Sequence, residues 1–124
     1  METNVNNKCK AFTSLEQSEK LAEILPLKSA DMFWLVVGNT SRAHVLTEPL
    51  SNYSKWENYP CWSLAALLNV INKTYYVTLL HDGVMWNIIV IHHDIDKCNH
   101  TIHADSPVDA CYEMILKLYE LKML

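Results

Sequence analysis

The chain has 124 residues, half of them hydrophobic and 19% charged, with a formal net charge of −4. That length suits one domain able to bury roughly two-thirds of its unfolded surface, and the composition excludes disorder over most of the chain. The basic residues are scattered, so there is no stripe to neutralise phosphates and a nucleic-acid partner is disfavoured; with only two glycines, a glycine-rich phosphate loop is excluded.

The opening Met1-Glu2-Thr3-Asn4 lacks the basic and apolar regions of a signal peptide. No apolar run approaches the roughly 20 residues of a membrane span. The expectation is a cytoplasmic protein with no membrane partner. Cys9, Cys61, Cys98 and Cys111 form no Cys-x-x-Cys pair and read as free thiols in that compartment.

Residues 1–12 are polar at the start and read as a flexible N-terminal segment; 13–124 read as a single domain. Thr13-Ser14-Leu15-Glu16-Gln17 contains two overlapping capping boxes, Thr13 with Glu16 and Ser14 with Gln17. Leu15, Ser18, Leu21, Ala22 and Leu25 recur at helical spacing, and Pro26 ends the pattern, predicting a helix over Ser14–Leu25. A helical turn fits Ser29–Met32. The apolar, β-branched run Asp31–Val37 predicts a buried strand ending at Gly38.

Residues Gly38–Pro60 carry little periodicity. Ala43–Thr47 reads as a short edge strand. The remainder is an excursion whose aromatics, Tyr53, Trp56 and Tyr59, are the candidate protein contacts. In Trp62–Asn72 the stripe Leu64, Leu67, Leu68, Ile71 predicts a second, well-buried helix.

Thr74–His81 reads as a strand, Asp82-Gly83 as a hairpin turn, Val84–His93 as a central strand and Asn99–Ala104 as the third of a meander. The last helix opens with Ser106 as N-cap and Pro107 at its first position, with Val108, Cys111, Ile115 and Leu118 as its apolar stripe. The fold class expected is α+β. It has a small, mainly antiparallel sheet, a three-stranded meander plus one or two further strands, with three helices packed on it.

Two constellations could carry chemistry. The stretch His92–Asp105 holds four of the six histidines and three aspartates. With a loop at Asp96–Asn99, His92 would face His103 across the hairpin with Asp94 on the diagonal, two imidazoles and a carboxylate suited to a divalent metal such as zinc. The same register puts Ile89, Ile91, His93, Ile102 and Ala104 on the core face. The second constellation is Pro60-Cys61-Trp62-Ser63. A cysteine at a helix start has its thiolate stabilised by the dipole, and His81, His92 or His93 follows, with Asp94 to orient one, in the Cys–His–Asp chain order of a thiol hydrolase. The glycine-containing signature of papain-like enzymes is replaced here by Asn58-Tyr59-Pro60.

Three segments together resemble a known group. They are Ser14-Leu15-Glu16-Gln17-Ser18-Glu19-Lys20-Leu21 followed by Ser29-Ala30-Asp31-Met32, then Pro60-Cys61-Trp62-Ser63-Leu64-Ala65-Ala66-Leu67-Leu68, and Pro107-Val108-Asp109-Ala110-Cys111-Tyr112-Glu113-Met114. The combination resembles small proteins of unassigned activity carried by phages, prophages and mobile elements of Bacteroidetes. The resemblance implies an accessory protein acting inside a bacterial host; its pattern does not include the histidine run and does not require the cysteine before Trp62. The leading expectation is a non-enzymatic protein that needs no cofactor and binds a host or phage protein. Two alternatives stand beside it: a cysteine-dependent hydrolase using Cys61 with a strand histidine, and a divalent-metal-binding domain built on the His92–His103 hairpin.

Overall fold

A computed structural model describes residues 10–48, 58–94 and 99–124. Among the described residues, three α-helices and six strands make an α+β fold with two three-stranded antiparallel sheets. The chain divides into two compact units, Phe12–Ala66 on the one hand and Leu67–Leu124 with Lys10 and Ala11 on the other.

In the first unit, α1 spans Leu15–Ala22. Of the two overlapping capping boxes, the second is the one formed: Ser14 Oγ accepts from Gln17 N at 3.1 Å, and Gln17 Oε1 accepts from Ser14 N at 3.0 Å. The helix ends three residues before the expected Leu25, because Pro26 drives the preceding residue out of helical conformation. Glu23 N and Ile24 N tighten the last turn onto Lys20 O and Leu21 O. Ser18, Leu21 and Leu25 are buried, as their spacing predicts. A 3-10 turn follows at Leu27–Ser29.

Strand β1 is Met32–Val37, β2 Thr40–Val45 and β3 Asn58–Cys61, ordered β2-β1-β3. Gly38, at φ +60°, turns β1 into β2 in the left-handed region that favours glycine. The expected edge strand is present and begins earlier, at Thr40. Strand β3 was not expected, since proline counts against a strand. Pro60 sits on an edge, where a missing backbone donor is tolerated. Helix α1 packs on β3.

Helix α2, Leu64–Asn72, starts in the first unit and continues into the second. It begins two residues later than Trp62, and Ala66, Leu67 and Ile71 are buried.

In the second unit, β4 (Tyr75–His81), β5 (Trp86–His92) and β6 (Asn99–Ala104) form the expected meander with β5 central. Helix α3, Pro107–Glu120, packs on β5 and β6. Ser106 Oγ accepts from Asp109 N at 3.0 Å, the predicted cap. The core joins Tyr75, Ile88 and Val90 of the sheet with Val108, Cys111, Met114, Ile115 and Leu118 of the helix, all fully buried. Lys10 Nζ pairs with Asp109 Oδ1 at 2.7 Å. At the other end of α3, Met123 N donates to Leu118 O and Lys122 N to Tyr119 O, a Schellman closure. Tyr75 donates its hydroxyl to Met123 O at 2.6 Å, tying the chain's end to β4.

Candidate functional site

Cys61 lies at the end of β3 and not at a helix start. The N-terminus of α2 is closed by other groups. Ser63 Oγ accepts from Ala66 N at 3.1 Å, Ser63 N donates to Asp31 Oδ1 at 2.9 Å, and the Ser63 hydroxyl bonds Asp31 Oδ2. The helix dipole therefore acts on Ser63 and Asp31, with Cys61 two residues upstream.

Cys61 is instead fully buried beside Thr13. Its thiol donates to Thr13 O at 3.5 Å and lies 3.6 Å from Thr13 Oγ1. Burial pushes the thiol above its ordinary value, with hydrogen bonds from the Thr13 and Ser18 hydroxyls acting the other way. A neutral buried thiol is a poor nucleophile. Trp62 is also buried, and its indole donates to Ser29 Oγ at 2.9 Å. Thr13 has a role other than the one its sequence suggests. Expected as a helix cap, it is a buried hub that also accepts Trp34 Nε1 on its carbonyl at 3.0 Å and bonds Ser18 Oγ at 2.7 Å.

The histidines belong to the second unit's sheet, and the expected hairpin register is wrong. His103 pairs with Asn87, Ile102 with Ile88 and His100 with Val90, while His92 pairs with Tyr75 on the other side. His92 and His103 are therefore not opposed. His92 is five residues beyond His103's partner on β5, about 16 Å along the strand. The odd offset also exchanges the faces of β5. Ile88 and Val90 are fully buried and Ile91 is exposed, whereas Ile89 and Ile91 were expected inside. The expected loop at Asp96–Asn99 would carry β5 on through Ile95, whereas β5 ends at His92 and β6 begins at Asn99.

Each candidate histidine has local partners. His92 Nδ1 accepts from Asp94 N at 2.9 Å and its ring meets Tyr75 edge-on at 5.1 Å. His81, at the exposed end of β4, accepts from Gly83 N at 3.1 Å and sits edge-on to Trp86. His103 Nδ1 bonds Asn87 Oδ1. Among the described residues, no three His, Cys, Asp or Glu side chains are grouped to hold a metal ion. Of the candidate contact aromatics, Tyr59 is half-buried in β3 opposite Trp34; Tyr53 and Trp56 lie outside the described residues, as do Cys9 and Cys98.

The outward face of the β4-β5-β6 sheet is the feature that sequence inspection missed. Three cross-strand rows lie on it: Tyr76–Ile91–Asn99, Thr78–Ile89–Thr101 and Leu80–Asn87–His103. None of these nine residues is Asp, Glu, Lys or Arg. Tyr76 is 60% exposed, Leu80 41% and Ile91 36%. At one end, Asp82 organises the hairpin turn. Its Oδ1 accepts from Val84 N and Met85 N, both at 2.9 Å, and its Oδ2 from Asn87 Nδ2 at 3.0 Å. The bonds from Met85, Asn87 and Val84 hold this carboxyl well below the usual carboxylate range. The alternation in Tyr76-Val77-Thr78-Leu79-Leu80 is the signal that could have located the face, since every second residue points out.

Among the described residues, no helix is long and apolar enough to cross a membrane. No known family, no curated protein and no solved structure matches the chain.

Proposed function

We propose that this chain is a small accessory protein of a phage or mobile element that acts by binding another protein and performs no chemistry of its own. The observation that carries this reading is the uncharged outward face of the second sheet, with Tyr76, Leu80 and Ile91 exposed on it. Antiparallel sheets that face water normally alternate apolar inside with polar outside. The centres of protein interfaces, by contrast, are depleted of charge and enriched in aromatic residues. The buried, neutral Cys61 and the separated His92 and His103 weigh against the thiol-hydrolase and metal-binding alternatives.

The test is a photo-crosslinking amino acid at position 76, in the chain expressed in a Bacteroidetes host. The expected result is one discrete adduct with a different protein, lost when Ile91→Glu charges the face. A second crosslinker at position 56 reports on the aromatic segment. Crosslinks that stay diffuse at both positions, or that survive Ile91→Glu, would sink the reading.

A further inference from the structure

The β4 strand is the edge of its sheet, and its backbone groups can be assigned a direction. Thr74 O accepts from His93 N, and Asp82 N donates to Met85 O, both at 3.1 Å and both continuing the β4–β5 register. In an antiparallel ladder the residues alternate. Tyr76, Thr78 and Leu80 therefore bond β5, while Tyr75, Val77, Leu79 and His81 turn their N–H and C=O groups away from it. Tyr75 is fully buried, so its edge is closed. Val77, Leu79 and His81 are left, on a strand that is half-buried to exposed from Tyr76 onward.

Natural sheets guard such an edge with a charge, a proline or a covering element. Here β2 carries Arg42 and β3 carries Pro60. Strand β4 has seven residues, Tyr-Tyr-Val-Thr-Leu-Leu-His, with neither charge nor proline.

We infer that β4 pairs with β4 of a second copy of this chain, antiparallel about a two-fold axis at Leu79. This register uses all three outward residues. Val77 of one copy meets His81 of the other, and Leu79 meets its own counterpart, as an isologous contact requires. On the outward face, Thr78 falls opposite Leu80 of the second copy. The nearest fixed charge, Asp82, falls opposite Tyr76, so the two Asp82 carboxylates stand about 20 Å apart along the strands, more than twice the roughly 8 Å screening length. No like charges meet, which makes the strand complementary to itself. The product is one six-stranded sheet with the two uncharged faces side by side. The inference rests on the backbone of β4 and stands whether or not the outward face binds a foreign protein.

The test uses the full chain. Sedimentation velocity from micromolar to near-millimolar concentration is expected to show monomer passing to dimer. Residue-resolved amide exchange should show Val77, Leu79 and His81 slowing by about tenfold or more as the dimer forms, with Thr78 and Leu80 protected at all concentrations. Leu79→Pro removes an outward donor at the axis without touching the bonds to β5, and should leave a folded monomer. A wild-type chain that stays monomeric overturns the inference. So does a dimer in which the three outward amides exchange as fast as in the monomer, or a folded Leu79→Pro that still dimerises. The wild-type exchange pattern decides the question even if Leu79→Pro does not fold.

Discussion

Thr13 and Trp62 are joined by a reciprocal pair of hydrogen bonds: Thr13 N donates to Trp62 O at 2.9 Å, and Trp62 N donates to Thr13 Oγ1 at 3.1 Å. The pair clamps the residue before the α1 cap to the residue after β3, across 49 positions of sequence. The same hydroxyl serves Ser18 and Cys61, all inside the first unit's core.

Thr13→Val keeps the shape and removes the hydroxyl, leaving Trp62 N and Ser18 Oγ buried with a partner lost. We expect a loss of about 2–3 kcal/mol in denaturant unfolding, with Thr13→Ser retaining most of the stability. A Val variant as stable as wild type would show that the clamp contributes nothing.

Burial pushes the Cys111 thiol from an ordinary 9.0 up to about 12. The folded chain holds this proton more tightly than the unfolded chain, so the contribution is fully present below pH 9.0 and is lost as pH rises toward about 12. The span corresponds to roughly 4 kcal/mol at about 1.4 kcal/mol per pH unit. Burial raises Cys61 and Tyr75 in the same direction. Stability measured against pH should fall steeply on the alkaline side, with a shallower slope in Cys111→Ala.

Asp82 has the opposite sign. Its folded carboxyl titrates well below the ordinary 3.8, so its contribution is present above that value and lost as pH falls beneath it. The acid limb of the unfolding midpoint should be flatter in Asp82→Ala than in wild type. Parallel limbs would show that the turn bonds do not couple to folding.

Lys122 closes α3 at φ +59°, where a side chain is strained. Lys122→Gly relieves that strain while keeping both Schellman bonds, and we expect about 1 kcal/mol of stabilisation. The thermal midpoint checks it, and a lowered midpoint would mean that the lysine side chain contributes more than its backbone costs.

Much of the fold was legible because its signals are local. Ser106-Pro107 sets a helix start through one hydroxyl and one fixed φ. The stripe Val108, Cys111, Ile115, Leu118 sets the face of α3 by spacing alone, and Asp82-Gly83 marks a turn through an Asx carboxylate and a glycine at φ +98°. The candidate site was less legible. Thr13 and Ser14 both fit an N-cap, and nothing within five residues says which one turns inward. Pro60 argues against a strand unless it is known to lie on an edge.

The chain's own residues thus determined the three helices, strand β1, the meander and the buried stripes of the helices, all set by interactions over a few positions, while β3 was not legible in them. Only tertiary structure decided the β5–β6 register, the separation of His92 from His103, the burial of Cys61 and the uncharged outward face. The physical reason is the period of two in a strand. Shifting the pairing by an odd number of residues moves every side chain to the other face, and the energy that selects one pairing comes from which residues the core of Ile88, Val90, Met114 and Ile115 accepts.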